Sequence, residues 1–509
     1  MNRSGWPLRP RFRSVQWSKF ASAFLLGWIV AFSAGCGDEG SPVEPIVTED
    51  PASWVLRWNQ IAIDASGIDH KGPSGDNPNG YFEHMGPGRA SRAMAITHIA
   101  MFEAVNAMAN GGYESYVGLE PASGAPLPAR GNALKAAIAV ATHDALAALY
   151  TRQRAALDDY LEEDLASIPE GEAKEIGVNV GHAAALAILE RRAGDGSAHP
   201  EPQMGVDYIP SDLPGEWRVD PIGLQPMALG AKWGQVALFL DADVTEFRAP
   251  PPPALNSPEY TAAFNEVKAF GGDENTPNVR TEDETFVGIF WAYDGLPSLC
   301  APPRLFNQIV RTITAKQGPS DVVELARLFA LTNIALADAT TAVWESKYFY
   351  KFWRPVCGIR EADEGTGPMG LGDGNPATVG DPNWTPLGAP ASNTGGPNFT
   401  PPFPSYPSGH GGMGGALFQL LREYYGTDAI AFDLVSDEFN GVTRDNQGNV
   451  RPHVVRHFHS FSEAEEENGQ SRIYLGIHWS FDKTAAIAQG RTVGSRVLSS
   501  IYQRKQRPA

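Results

Sequence analysis

The chain has 509 residues, of which 42% are hydrophobic and 19% are charged, an ordinary balance for a globular protein. This composition excludes a coiled coil, a collagen and a fully disordered chain. The 59 acidic and 40 basic residues give a formal net charge of −19. General nucleic-acid binding is therefore disfavoured, because an acidic surface repels phosphate backbones. Three cysteines are too few for a four-thiolate zinc site or a disulfide framework.

The N-terminus has the layout of a secretory signal. Basic residues precede an uncharged apolar run over residues 20–32, and small residues then lead to Cys36. The run is short for a bilayer span of about 20 residues, which disfavours a transmembrane anchor. Residues 33–36 resemble a bacterial lipoprotein cleavage box, although Ser33 stands where that box usually has leucine. We predict a signal peptide over residues 1–36, export to the periplasm or cell envelope, and a lipid anchor at Cys36.

Apolar residues recur at helical spacing in six long segments, whereas strand-like alternation is scarce. These segments predict helices at 89–108, 133–150, 173–192, 321–352, 412–425 and 483–502. The chain also contains 53 glycines and 41 prolines, so long structured loops should connect the helices. A Gly-, Pro- and Asn-rich stretch over 366–407 is the longest of these loops, and such loops are usually functional or disordered.

The predicted fold class is all-α, with two helical-bundle lobes and long Pro/Gly-rich loops. A run of four prolines, 250–253, forms a rigid spacer between the two halves. The predicted division is a flexible linker at 37–52, an N-terminal helical lobe at 53–249, a Pro-rich connector at 250–258 and a C-terminal catalytic lobe at 259–509.

Two segments in the C-terminal half carry residues suited to an oxyanion. The first places Lys347 and Arg354 seven residues apart, on one face of a helix that ends at Pro355. The second, Pro407-Ser408-Gly409-His410, leads through glycines into a helix, where backbone N–H groups approach an anion. Taken alone, the first also fits a solvated charged face, and the second fits a tight glycine turn.

A third segment contains Arg472 and, one helical turn apart, His478 and Asp482. A carboxylate fixes the imidazole tautomer and leaves the other ring nitrogen to attack or to ligate, although a buried structural pair has the same spacing. His410, from the second segment, can exchange a proton near neutral pH. Together the three segments provide three cations, two neutral donors and two histidines, which is the composition of an oxyanion cage.

The three segments form the pattern K-x6-R-P, P-S-G-H and S-R-x5-H-x3-D. In this pattern the chain resembles the vanadium-dependent haloperoxidase and type 2 phosphatidic acid phosphatase superfamily. The second and third blocks are 60 residues apart, slightly more than usual, which indicates an insertion. Residues 399–406, together with Trp344 and the Tyr293-Asp294-Gly295 segment, are similar to the chloroperoxidase-like branch.

The resemblance implies vanadate as cofactor, with halide, hydrogen peroxide and an organic acceptor as reaction partners. His478 would be the axial vanadium ligand, or in a phosphatase the phosphorylated nucleophile. His410 would be the acid/base, and Lys347 would assist the reaction of peroxide. The vanadate oxygens would be bound by Lys347, Arg354, Ser408, Gly409 and Arg472. Supporting roles would fall to Trp344 and Phe403 on the halide side, Asp294 beside Arg472, and Asp482 behind His478.

We therefore predict a vanadate-dependent haloperoxidase-like enzyme with its active site in the C-terminal lobe. The alternative is an acid phosphatase of the same superfamily that forms a phosphohistidine. A third hypothesis is a non-catalytic envelope lipoprotein that binds phosphate or vanadate, against which His410 argues, since binding alone needs no acid/base. The sequence leaves open the halide, the organic or phosphoester substrate and the oligomeric state. It also leaves open whether Cys300 and Cys357 form a disulfide or two buried free thiols.

Overall fold

The computed structural model describes residues 50–74, 77, 79–122 and 130–506. The predicted signal peptide, Cys36 and most of the predicted linker lie outside the described residues. The described part is mainly helical, which confirms the predicted fold class. Its α-helices are α1 (Pro51–Asp69), α2 (Gly86–Met108), α3 (Arg130–Leu149), α4 (Arg154–Ala166), α5 (Glu172–Arg192), α6 (Pro258–Phe270), α7 (Glu282–Phe290), α8 (Pro302–Gln317), α9 (Val322–Tyr350), α10 (Pro355–Arg360), α11 (Gly409–Tyr425), α12 (Phe461–Tyr474) and α13 (Ser480–Ser500).

All six helices predicted from apolar spacing are present, as α2, α3, α5, α9, α11 and α13. Several begin earlier than predicted because their first turns contain glycine or polar residues, which give no apolar signal. Helix α11 is an example, since it begins at Gly409 with Ser408 as its N-cap. Helix α9 is capped at its start by Asp321, whose carboxylate accepts the backbone N–H groups of Val323 and Glu324.

One antiparallel pair of strands, β1 (Phe432–Asn440) and β2 (His453–Phe458), was not predicted. Its register pairs Phe432 with Phe458 and Val435 with Val455. Buried and half-buried residues alternate along β1, as expected for a strand with one face on the core. The strands lie in the interval between the second and third sequence blocks.

Helix α9 is the central element of the fold. Its residues are buried almost continuously from Leu325 to Lys347, and it contacts α1 and α2 as well as α11 and α13. The described residues all belong to one compact unit. The division of this unit into two lobes at residues 250–258 stays a prediction.

A buried polar network joins the N-terminal helices α1 and α2 to α8 and α9. The Asn59 amide on α1 donates to His98 Nε2 at 2.8 Å and to Asn307 Oδ1 at 2.9 Å. The Asn307 amide in turn donates to Asn333 Oδ1 on α9 at 2.8 Å. His98 Nδ1 lies 2.7 Å from the Met94 carbonyl, which can only accept, so Nδ1 carries the hydrogen and Nε2 accepts. His98 is therefore a structural histidine.

This network predicts acid lability. Burial lowers the pKa of His98 from 6.5 to about 4. Between these pH values His98 is protonated in the unfolded chain but neutral in the native chain. The free energy of unfolding therefore falls as pH falls. The loss amounts to about 3 kcal/mol. We expect His98→Gln to remove this pH dependence from urea unfolding curves measured between pH 4 and 7. The exposed His459→Gln serves as control, and an unchanged pH slope in His98→Gln would contradict the assignment.

The fold answers the question that the sequence left open about the cysteines. Cys300 and Cys357 are both buried and free, so the alternative of two thiols is confirmed. Among the described residues no single helix is long and apolar enough to cross a membrane. The pair Arg130–Leu149 and Thr151–Ala166 passes that test by length and composition, but it is bent by 117°.

Candidate active site

The predicted site residues lie at the ends of helices, which brings together segments that are distant in the sequence. Lys347 is in the last turn of α9, Arg354 precedes α10, and Arg472 is in the last turn of α12. His478 lies in the turn between α12 and α13. The residues placed around one cavity are Asp294, Trp344, Phe403, Gly409, His410, Arg472 and His478.

His478 is held by a carboxylate on its inner side. Its Nδ1 lies 2.8 Å from Asp482 Oδ2, which also accepts the backbone N–H of Trp479 at 3.1 Å. Ser405 donates its hydroxyl to the same oxygen. Because Oδ2 acts as an acceptor, His478 carries its hydrogen on Nδ1, and Nε2 keeps a lone pair. Burial raises the pKa of Asp482 to about 7, and the Ser405 hydroxyl opposes this rise.

Arg354 lies against the free nitrogen of His478. Its Nη1 is 3.0 Å from His478 Nε2 and also donates to the Ile477 carbonyl at 2.8 Å. A guanidinium only donates, so this contact independently shows that Nε2 accepts. Burial lowers the pKa of His478 well below its ordinary range, and the charges of Arg354 and Lys347 lower it further. The imidazole is therefore neutral and suited to be a ligand or a nucleophile.

Lys347 is fully buried behind this pair. Its Nζ donates to the carbonyls of Pro404 and Ser405, both at 2.8 Å. Burial lowers the pKa of Lys347 well below its ordinary range, and the charge of Arg354 adds to the effect. A bound anion would oppose this shift and stabilise the charged ammonium, whose third N–H the two carbonyls leave unused.

Arg472 also lines the cavity, and Asp294 holds one end of its guanidinium. Its Nη2 donates to both oxygens of Asp294, at 2.7 and 2.8 Å. The side chains of both residues are buried, with 1% and 6% of their surface exposed. Burial raises the pKa of Asp294, while Arg472 opposes the rise. The predicted pairing of Asp294 with Arg472 is confirmed.

Three guanidinium nitrogens in the site are buried and have no hydrogen-bond partner in the described structure. They are Nη2 of Arg354 and both Nε and Nη1 of Arg472. Unpartnered buried donors are costly, so such a group of them indicates a ligand rich in acceptor oxygens. A tetrahedral oxyanion such as vanadate or phosphate would supply acceptor oxygens for these donors, and His478 Nε2 would be the nitrogen available to hold it. The residues therefore fit the predicted cofactor.

His410 belongs to the second sequence block and lies in the first turn of α11, where a main-chain carbonyl orients it. Its Nε2 is 2.6 Å from the carbonyl oxygen of Ala292, so Nε2 carries the hydrogen and Nδ1 is the basic nitrogen. Burial lowers the pKa of His410 well below its ordinary range, and Arg472 adds to the shift. A neutral imidazole with one free nitrogen can accept a proton.

Ser408 and Gly409 place the start of helix α11 at the site. Ser408 is the N-cap, and its hydroxyl accepts the backbone N–H of Gly411 at 3.4 Å. The first N–H groups of a helix have no acceptor within the helix, so this end provides donors and partial positive charge. Gly409 is also closely packed, since a Cβ there would lie 3.3 Å from the Trp344 ring.

Two aromatic rings form one wall of the site. The ring centroids of Trp344 and Phe403 are 4.9 Å apart, and Lys347 Nζ lies 5.0 Å from the Phe403 centroid. Trp344 Nε1 donates to the Leu229 carbonyl at 3.1 Å, which fixes the indole. At the neighbouring Gly230 a Cβ would lie 2.2 Å from Trp344 Nε1.

The contact at Gly230 gives a testable prediction. Gly230 and Gly118 both have φ of +75°, but a Cβ at Gly118 would meet nothing within 4 Å. Alanine at either position adopts a left-handed conformation that costs about 1–2 kcal/mol. We expect Gly230→Ala to lose more stability in urea unfolding and to change tryptophan fluorescence, because the methyl group displaces Trp344. Equal losses in both variants would show that the contact is unimportant.

Several residues that shape the site were not predicted. Ser405, which lies within residues 399–406, holds Asp482, and the carbonyl of Ala292 orients His410. The cavity around the site, about 480 Å³, is also lined by Met85, Glu201 and other residues from the N-terminal half. No motif marks those residues. The site is thus completed by segments outside 259–509, and its restriction to the C-terminal lobe stays unconfirmed.

The described residues contain no cluster of three or more His, Cys, Asp or Glu side chains able to hold a metal cation. The site offers one histidine nitrogen and several cationic donors instead. This donor set suits an oxyanion, which brings its own oxygen ligands, and does not suit a bare divalent cation.

Comparison with known proteins supports the resemblance inferred from the three blocks. Residues 327–506, which contain all three blocks, match the family model for the VCPO second helical-bundle domain. A curated relative, the vanadium chloroperoxidase of Curvularia inaequalis, is 40% identical over 277 residues. This alignment covers 47% of the present chain and 44% of the relative, so the chain matches less than half of that protein's length. The resemblance predicted from the sequence is confirmed.

Solved structures show the same fold over a larger part of the chain. A bacterial vanadium-dependent iodoperoxidase superposes with a TM-score of 0.67 and 22% identity, covering 92% of this chain and 100% of its own. The apo form of a bacterial vanadium-dependent chloroperoxidase gives a TM-score of 0.61 and 15% identity, covering 82% and 94%. These likenesses extend the agreement in fold into the N-terminal half.

Proposed function

We propose that this protein is a vanadate-dependent haloperoxidase, which oxidises halide with hydrogen peroxide to hypohalous acid. The observation that carries this proposal is the set of unpartnered N–H groups on Arg354, which contacts His478 Nε2, and on Arg472, which lines the same cavity as His478. The 40% identical relative and the two solved structures bear the names of vanadium haloperoxidases. When bound, vanadate supplies the Lewis-acid activation that makes hydrogen peroxide reactive toward halide.

The residues of the chain have separable tasks in this proposal. His478 Nε2 is the ligand nitrogen, and Asp482 keeps its hydrogen on Nδ1. Arg354, Arg472 and Lys347 are buried, and they would hold the negative charge of the oxyanion in surroundings where such interactions are strong. His410 Nδ1 takes up the proton that hydrogen peroxide loses on binding.

The aromatic wall suits the halide. The rings of Trp344 and Phe403 exclude water beside Lys347, whose Nζ lies 5.6 and 5.0 Å from their centroids. A weakly hydrated anion loses little hydration free energy when it moves next to these rings, and the cations of the cage attract it. The overall reaction is halide, hydrogen peroxide and a proton giving hypohalous acid and water.

A phosphomonoesterase is the second candidate, and one observation favours it. The same unpartnered N–H groups match phosphate, and a neutral His478 Nε2 is equally suited to attack phosphorus. The oxyanion cage therefore does not distinguish the two reactions. The aromatic wall does not decide between them either, because two buried rings can also receive an apolar leaving group; the names of the similar proteins favour halide oxidation.

The test loads one purified preparation with vanadate and leaves a second free of it. We expect the loaded protein to oxidise bromide or iodide with hydrogen peroxide, and the vanadate-free protein alone to hydrolyse p-nitrophenyl phosphate. A protein that retains vanadate without oxidising either halide, yet hydrolyses the ester when stripped, is a phosphatase. A protein that binds vanadate and performs neither reaction supports the non-catalytic hypothesis.

We also propose export and lipid attachment at Cys36, on the basis of the basic and apolar pattern in residues 1–36. Expression of the full chain in a bacterial host tests both. We expect the protein in the membrane fraction, and we expect Cys36→Ser to release it or block its maturation. Recovery of both forms in the cytoplasm contradicts the proposal.

A further inference from the structure

The cavity at the site is much larger than an oxyanion and a halide require. Its volume is about 480 Å³, within the range of roughly 300–1,000 Å³ typical of pockets for organic ligands. The cage residues Arg472 and His478 lie at its wall, together with His410. A molecule bound in this cavity would therefore lie beside the place where the oxidised halogen is formed.

Most of the remaining cavity wall is apolar, and it comes from separate parts of the chain. Met85 and Met227 belong to the N-terminal half, whereas Leu296 and Phe399 lie in loops of the C-terminal half. Met413 extends the wall from the first turns of α11. Thioether and aromatic side chains adapt well to flat rings, with which sulfur makes favourable contacts.

Charge in this cavity is already neutralised. Three of the described residues that line the cavity are Asp, Glu, Lys or Arg, namely Asp294, Arg472 and Glu201. Asp294 and Arg472 pair with each other, as described above. Glu201 accepts from Arg89 Nε at 3.1 Å and from the backbone N–H of Gly230 at 2.6 Å. Apart from the unpartnered Arg472 N–H groups, which the oxyanion would use, no unpaired charge remains among them to select a charged organic ligand.

We propose that this cavity binds the organic acceptor, and that the acceptor is an uncharged aromatic molecule. This inference rests on the proposed halide oxidation. The hypohalous acid formed at the cage meets the bound ring before it escapes. A carbon–halogen bond forms and a carbon–hydrogen bond breaks, and the ring proton combines with the hydroxide of the hypohalous acid to give water. Halogen transfer thus takes place inside the protein, at a ring position set by the cavity wall.

The first test measures binding without any turnover. We use 1-naphthol in equilibrium dialysis against the vanadate-free full chain, and we expect saturable binding. Met227→Asp and Met85→Asp should each raise the Kd at least about tenfold, since each replaces apolar contact surface with a hydrated carboxylate that an uncharged ring cannot pair. The matched control is Met369→Asp, because Met369 is exposed and does not line the cavity. We expect the control to bind as the wild type does.

The two cavity variants come from separate segments, so misfolding of one leaves the other informative, and near-UV circular dichroism reports on both. Absence of saturable binding in the wild type, or equal binding in all four proteins, overturns the inference. Neither result depends on whether the protein oxidises halide.

The second test locates the transfer step. Reagent hypobromous acid brominates 1-naphthol at both the 2- and 4-positions. With vanadate, bromide and peroxide, we expect the wild-type protein to give a different ratio of the two products, and Met227→Asp to return it toward the reagent ratio. A wild-type ratio equal to the reagent ratio contradicts transfer inside the cavity. If no bromide is oxidised, the proposed function fails, while the dialysis result still decides whether the cavity binds an aromatic ring.

Discussion

His478→Ala is expected to abolish the retention of vanadate, whereas His410→Ala retains binding and loses turnover. His478 presents the Nε2 lone pair to the cage because Asp482 engages its Nδ1 at 2.8 Å. Loss of even an outer-shell partner typically costs 10–100-fold in metal affinity, so loss of the ligand should exceed about 100-fold. His410 is instead oriented by the Ala292 carbonyl as a base, and a base sets the rate.

Equilibrium dialysis with vanadate, followed by metal analysis, measures both affinities, and peroxide-dependent bromide oxidation measures turnover. His459→Ala is the matched control, since His459 is exposed. An equal loss of vanadate affinity in His478→Ala and His410→Ala would falsify the separation of their roles.

Arg472→Ala is expected to weaken vanadate binding more than Lys347→Ala does. Arg472 has two nitrogens, Nε and Nη1, without a partner in the described structure, whereas Lys347 Nζ already donates to two carbonyls. A hydrogen bond to a charged group contributes about 1.5–3 kcal/mol, so the loss of two predicts at least about a 100-fold weaker affinity. Removal of Arg472 also leaves the buried carboxylate of Asp294 beside the anion.

The contribution of Asp294 can be separated with a double variant. Arg472→Ala with Asp294→Asn removes the uncompensated carboxylate, and we expect it to recover part of the lost affinity and stability. Vanadate titrations of the single and double variants, with urea unfolding in parallel, provide the comparison. Tighter binding by Arg472→Ala than by Lys347→Ala would show that the lysine is the main anion contact.

The helices and the residue types of the cage were predictable because both are local patterns. Apolar spacing located the long helices, and α9 differs from its predicted bounds by one residue at the start and two at the end. The strands β1 and β2 were missed because neither shows an apolar alternation: β1 buries the polar residues Ser436 and Glu438, and most of β2 is exposed or half-buried. The three blocks identified the cations and the two histidines before any contact was known.

The sequence alone therefore determined which side chains are predicted to meet an oxyanion, because their identities and spacings form a pattern along the chain. The tertiary structure decided how they are used. The tautomer of His410 depends on a carbonyl 118 residues away, and the lone pair of His478 faces a guanidinium 124 residues away. The cavity wall likewise combines Met85 with residues beyond position 290. Hydrogen-bond partners and cavity walls depend on contacts between distant segments, and local sequence patterns do not predict such contacts.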